Sequence, residues 1–390
     1  MLYWMERHFD VIVIGLGAMG AATLDQLARR GVRVLGLEQF GVAHEQGSSG
    51  GDSRLIRKAY FEHPDYVPLL ERAYANWEDL EARTGERVLF RTGIVYLGSP
   101  DGEVIAGTRL SARTYGLLCE TLTPDALRRR SPVLRAPAGA VALHEPDGGF
   151  VLSTRAIRLY CEQALRNDAR IRAGEAVRAW RETADGVEVT TSSGSYRAPR
   201  LVVSAGSWSG ALLPNLPAPL AVTRQTLFWL WPATPERFAL DAFPCWGAEV
   251  PGFEGMLYGF PVLPASLGAT PGLKIAHHFP GEPCTPGQAR AAASSEFEAL
   301  RPALEQVLDA DLGDVIAAKV CMYTSTPDHH FVIDRYPGSE RVVVACGFSG
   351  HGFKFASVIG EALADLALGG RTALPTDFLG LGRFTRSMST

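Results

Sequence analysis

Val11-Ile-Val-Ile-Gly15-Leu-Gly17-Ala-Met-Gly20 is the stretch that decides the fold. The apolar run 9–14 stops at glycine, as a strand buried on both faces does. Helical spacing of Ala22, Leu27 and Ala28 follows over 18–30, and Gly31 stands where a helix ends in left-handed backbone. Residues 33–38 read as a second strand, closing a β-α-β unit. Within it, Gly15-x-Gly17-x-x-Gly20 permits a tight turn and close approach of a pyrophosphate at the helix N-terminus. Glu38, ending the second strand, is placed to accept from ribose hydroxyls. An acid there disfavours a 2′-phosphate. NAD and FAD share this loop, so the loop alone does not choose between them.

Working outward, residues 65–84 carry Tyr66, Leu69, Leu70, Ala73, Tyr74, Trp77 and Leu80 at helical spacing, with Pro68 in the first turn. Short strands and two helices follow over 86–145. A helix at 154–167 leads to strands at 176–182, 187–191 and 201–205. Residues 220–325 are rich in aromatics and prolines, with strands at 227–231, 256–260, 274–278 and 315–323 and one helix near 286–308. The chain then returns to a buried strand, 342–346, a glycine turn and a helix at 353–368. This order predicts an α/β (α+β) protein of two interleaved domains. A Rossmann-like dinucleotide domain takes 1–85, 146–220 and 325–390; a sheet-rich substrate domain takes 86–145 and 221–324. The cleft between them is the expected site.

Composition bounds the function. Of 390 residues, 46% are apolar and 21% charged, enough to bury a large core, which excludes disorder. Net charge is −4, and the one basic cluster, Arg128-Arg129-Arg130, ends a short helix opened by Thr123-Pro124, so no nucleic-acid partner is expected. The cysteines at 119, 161, 245, 284, 321 and 346 form no C-x-x-C pair and no Cys/His ligand spacing. No metal is expected, and reduced thiols suit the cytoplasm. Glu6, Arg7 and Asp10 precede any apolar run, unlike a secretory signal. The uncharged stretch 201–223 contains Pro214, Pro217 and Pro219, so no membrane span is expected and the chain reads as soluble.

Three further segments narrow the choice: Gly47-Ser-Ser-Gly-Gly-Asp-Ser-Arg54-Leu-Ile-Arg57-Lys-Ala-Tyr60, Cys321-Met-Tyr-Thr324 and Gly347-Phe-Ser-Gly-His-Gly-Phe-Lys354-Phe355. With the N-terminal loop and the late strand Leu201-Val-Val-Ser-Ala-Gly-Ser-Trp208, they resemble the monomeric sarcosine oxidase family, whose relatives include N-methyltryptophan oxidase and pipecolate oxidase. The resemblance runs in the same order from about residue 9 to about 370. It implies an FAD-binding domain of the glutathione-reductase/D-amino-acid-oxidase type. It also implies a monomer that oxidises secondary amino acids to imines and reduces O2 to hydrogen peroxide.

The resemblance also implies roles. Gly15, Gly17, Gly20, Glu38, Ser48, Ser53, Val177, Gly206, Trp208, Gly347, Gly350 and Lys354 match FAD-binding positions, and Cys321 matches the cysteine linked covalently to the flavin 8α carbon. Arg57 and Lys354 match the pair that holds the substrate carboxylate, a planar fork beside a point charge. Arg54 matches an arginine against the flavin ring. Lys274 matches the lysine of oxygen activation, where fixed positive charge stabilises developing negative charge. Tyr258, His278 and Tyr323 match pocket residues. Two departures stand out. Ser49-Gly50 replace a pair of histidines found in sarcosine oxidases, and the loop 245–248 places Gly247 where a larger residue lines the sarcosine pocket. More room for a side chain or ring is therefore expected near Gly247. The alternatives are a dehydrogenase that passes electrons to another acceptor, and a non-catalytic FAD-binding protein.

Overall fold

The computed structural model describes residues 8–288 and 291–385. The opening strand, Val11–Ile14, lies inside a six-stranded sheet ordered Val332–Arg335, Val342–Cys346, Arg200–Val203, Val11–Ile14, Val34–Glu38, Arg170–Ala173. All neighbours are parallel except the edge pair Val332–Arg335 with Val342–Cys346. Strand alternation assigns the faces. Val11 and Val13 pack on the layer containing the helices Ala18–Arg29 and Ala356–Gly369. Ile12 and Ile14 pack on Val187, Val189 and Tyr196 of a three-stranded antiparallel sheet. Covered on both faces, the strand needs its continuous apolar run. The two helices approach closely because Gly360 lies against Ala22, where a Cβ would stand 2.6 Å from the Ala22 backbone.

A second sheet is ordered Glu282–Pro283, Ala221–Trp231, Leu273–His278, Met256–Phe260, Cys245–Ala248, Ile94–Gly98, Val141–Glu145, Glu120–Leu122, with Asp314–Ser325 also paired to Ala221–Trp231. One face packs under the helix Ser294–Val307 through Phe228, Leu230, Leu273, Ile275, Phe297 and Leu304. The alternate residues Leu227, Trp229, Ala276, Cys321 and Tyr323 form a cluster on the other face. Period two thus carries Lys274, Cys321 and Tyr323 to one side. A small sheet of Ser53–Ile56, Gly149–Leu152 and Leu89–Phe90 completes the architecture. Among the described residues, no helix is long and apolar enough to cross a membrane.

Three local expectations change. Residues 245–248 are a strand buried along its whole length, not a loop; a four-residue strand centred on glycine shows no period to read. The helix expected from 286 starts at Ser294, because Pro286 and Gly287 (φ +86°) make a turn first. Residues 289 and 290 of that expectation lie outside the described residues. The helix expected over 65–84 begins as a 3-10 turn, Pro64–Tyr66, before Val67–Thr84.

Candidate active site

The glycine loop forms the floor of a long cleft of about 1520 Å³, its open mouth included. Gly15 has φ +84°, and a Cβ there would stand 2.6 Å from the Ser204 carbonyl oxygen. Gly20 does not line the cleft; its missing Cβ lets Gly15 O approach to within contact of the helix. The helix Ala18–Arg29 begins with no side-chain cap and no acid in its first turn. A bare helix N-terminus of this kind suits an anion. Glu38 takes the Leu16 N–H at 2.8 Å and the Phe40 N–H at 2.9 Å, with His44 Nε2 3.3 Å away. Burial pushes its carboxyl up, but His44 and these N–H groups win and hold it below the ordinary range. Ser48, Val177, Gly206, Trp208, Gly347 and Gly350 also line the cleft; Ser53 does not.

At one end the cleft shares Arg54, Tyr323, Gly350 and Phe353 with a second cavity of about 430 Å³. There the structure brings together Arg57, Lys354, Tyr258 and His278. Arg57 is 2% exposed, and its Nη2 donates to both oxygens of Glu62, at 2.6 and 2.5 Å. Its Nε is buried with no partner. Lys354 Nζ donates to His351 O at 2.7 Å and contacts Tyr60 Oη at 3.5 Å, which leaves one of its three N–H bonds uncommitted. Burial, reinforced by Arg57, pulls its pKa well below the lysine range. His278 Nδ1 stands 3.1 Å from Tyr323 Oη, and burial pulls its pKa down to about 3, so the ring is neutral. Tyr258 interacts with Tyr323 and is pushed up to about 12 by burial. Sequence reasoning assigned no role to Glu62, Tyr60 or His351; an acid five residues after Arg57 was the available signal for Glu62.

The expected room at Gly247 is absent. A Cβ there would stand 2.9 Å from the Tyr96 ring and 3.0 Å from Met256 Sδ, so these side chains fill the space. Met256, not Gly247, lines the cavity. The lost histidines also have a packing counterpart: a Cβ on Gly50 would stand 3.0 Å from Glu45 Cα, while Ser49 lines the cleft.

The FAD dependent oxidoreductase profile matches residues 10–366. The chain is 40% identical over 376 residues to monomeric sarcosine oxidase of Streptomyces avermitilis, covering 95% of this chain and 96% of the relative. It is 35% identical to N-methyl-L-tryptophan oxidase of Citrobacter koseri, covering 97% and 100%. The open form of NikD, an amino acid oxidase, superposes with TM-score 0.81 at 28% identity, over 96% of this chain and 97% of that one. The chain belongs to the FAD dependent oxidoreductase family.

The site fits the cofactor of that family. The uncapped N-terminus of Ala18–Arg29 and the Gly15 turn would suit a diphosphate, Glu38 would accept from a ribose, and the cleft continues past Arg54 into the second cavity. Arg54 is held over this junction by Ser53 O and Ser48 O, both at 2.8 Å. Lys274 and Cys321 stand differently from the cleft-lining residues. Lys274 is 3% exposed, and its Nζ donates to Gly51 O at 2.6 Å, Ser53 O at 2.7 Å and Ser53 Oγ at 3.2 Å. All three N–H bonds are committed, and it lines neither cavity. Burial, then the charge of Arg54, pulls its pKa well below the lysine range. Cys321 packs with Leu227, Trp229, Ala276 and Tyr323, while Met322, Tyr323 and Thr324 line the cleft.

Proposed function

We propose that this protein is an FAD-dependent oxidase of secondary amino acids, N-methyl or cyclic, forming an imine and hydrogen peroxide. The observation that carries the reading is the orphaned Arg57 Nε beside a Lys354 with one N–H to spare, in a cavity opening onto the dinucleotide cleft. A substrate carboxylate satisfies both, removing the cost of a buried unpaired donor. The relatives' names, sarcosine oxidase and N-methyl-L-tryptophan oxidase, support a small N-methylated amino acid. FAD, when bound, supplies the two-electron acceptor.

The chain's own residues bind and orient. Arg57 and Lys354 fix the carboxylate, so the carbon beside nitrogen points toward the junction at Arg54. Tyr258, Phe61 and Met256 give that carbon an apolar wall. His278, neutral and bonded to Tyr323, carries no charge that opposes the bound amine. No dedicated base is required if the amine binds neutral. The two interleaved segments sets, 1–85, 146–220, 325–390 and 86–145, 221–324, act as cofactor and substrate domains of a cytoplasmic monomer.

The covalent link through Cys321 is part of this proposal. Denaturing the purified holoprotein and recording the pellet's visible spectrum tests it: yellow pellet for wild type and colourless pellet for Cys321→Ser support it, whereas free flavin from wild type removes it. Turnover on sarcosine, N-methyltryptophan and pipecolate, with peroxide assayed, tests the activity. The full commitment of Lys274 to the Gly51 and Ser53 carbonyls and the Ser53 hydroxyl favours a second reading, a dehydrogenase. Turnover with an artificial dye and no peroxide in air would select it.

A further inference from the structure

Resting on Arg57 and Lys354 as the carboxylate pair, we propose that Tyr60 is a positioning residue for both cations. Its ring holds the Arg57 guanidinium, and its phenol oxygen, donating its hydrogen bond to His351, turns lone pairs toward the Lys354 ammonium.

Tyr60 is fully buried and lines neither cavity, so it acts through others. Arg57 Cζ lies 4.5 Å from the Tyr60 ring centroid and 4.3 Å from that of Phe61, and the two rings are 13° from parallel. A guanidinium against two desolvated faces is held by its charge and its planarity. Lys354 Nζ lies 5.1 Å from the same Tyr60 centroid and 3.5 Å from Oη, a charge–dipole contact longer than a full hydrogen bond. One side chain thus touches both cations.

The direction of the phenol proton follows from its other neighbour. Tyr60 Oη stands 2.5 Å from His351 Nδ1, and His351 Nε2 stands 3.0 Å from His329 O. A carbonyl only accepts, so Nε2 carries the ring proton and Nδ1 is bare. Burial and the nearby Lys354 charge keep the ring neutral, its pKa pulled well below the histidine range. Tyr60 must therefore donate to Nδ1. Its backbone carbonyl is fastened by the Ser111 hydroxyl, and its ring packs on Tyr66 and Phe355 at 5.1 and 5.2 Å. The titratable groups around Lys354 are Arg57, Glu62, His351, His278 and the phenol of Tyr60.

The test uses FAD-loaded Tyr60→Phe, which keeps the ring over Arg57 and removes the oxygen. Apparent KM for sarcosine should rise about ten-fold with kcat within about two-fold, the signature of lost ground-state binding. Acetate binding, followed by calorimetry, should weaken by the same factor. The pH above which KM climbs should fall, because Lys354 loses an acceptor that favours its charged form. His351→Gln, which unlocks the phenol proton, should give the same split to a smaller degree. Unchanged KM, acetate affinity and pH profile in a folded Tyr60→Phe overturn the proposal. So does a parallel fall of kcat, melting temperature and affinity, which marks a packing role. Lys354→Met is the control: if it leaves acetate binding intact, the carboxylate reading falls, whereas a loss there beside an unaffected Tyr60→Phe sinks this inference alone.

Discussion

Nη2 of Arg57 holds both carboxylate oxygens of Glu62, so the cavity's arginine already has an anion before any substrate arrives. The Glu62 side chain is 13% exposed against 3% for Arg57, which makes Glu62 the partner free to yield. An incoming carboxylate therefore competes with it. Glu62→Gln should tighten acetate binding several-fold and lower apparent KM. It should also lower the melting temperature, because a buried guanidinium loses its counter-charge, a cost of roughly 1–3 kcal/mol. Weaker acetate binding in a folded Glu62→Gln would show that the acid helps hold the ligand instead.

Lys274 links two sheets through one ammonium. Its donors end on Gly51 and Ser53 while its strand neighbours pack on the far side of the large sheet. Lys274→Met leaves those carbonyls without their donor and removes the nearest fixed cation behind Arg54. If oxygen reduction depends on that charge, peroxide formation should slow by roughly 10²-fold. Anaerobic bleaching of the protein by substrate should change much less. Equal losses in both half-reactions would assign Lys274 to holding the 51–53 turn.

The nucleotide half was legible because its signals are local: a continuous apolar strand, glycines at fixed offsets and an acid ending the next strand all fall within residues 11–38. The paired cations were legible only through long motifs, since Arg57 and Lys354 stand 297 positions apart in sequence, as 354 − 57 shows. What stayed hidden were relations between distant segments. Nothing at Gly247 announces that Tyr96, on a strand paired in parallel with it, already occupies its space. Nor does Glu145, at a strand end, announce its partners at positions 58 and 59.

Pocket size should accordingly respond at Met256 and not at Gly247. Gly247→Ala drives a methyl against the Tyr96 ring and Met256 Sδ at 2.9 and 3.0 Å. Overpacking of this kind costs about 1–3 kcal/mol, read as a lower melting temperature with little change in substrate preference. Met256→Ala, on the cavity wall, should raise turnover of N-methyltryptophan relative to sarcosine. A preference that moves with Gly247→Ala alone would contradict this packing.

Glu145 supplies a pH-dependent test of how the Arg57 segment is held. Its carboxylate ends the strand Val141–Glu145 and takes the N–H of Lys58 at 2.5 Å and of Ala59 at 3.1 Å, fastening the residues after Arg57 to the large sheet. Burial raises its pKa from 4.5 to about 7, against the opposing pull of those two N–H groups. A raised carboxyl favours the fold when protonated. That contribution is fully present below about pH 4.5 and is lost as pH rises through about 7. The difference between about 7 in the fold and 4.5 outside it corresponds to roughly 3 kcal/mol. Glu145→Gln cannot ionise, so it should keep one accepted N–H and escape the loss. Between pH 5 and pH 8 the wild type should therefore lose stability relative to Glu145→Gln, read from melting temperatures of both proteins at the two pH values. A constant gap would mean that Glu145 is ionised throughout, its two backbone donors outweighing burial, and the Arg57 segment would then be fastened equally at every pH of assay.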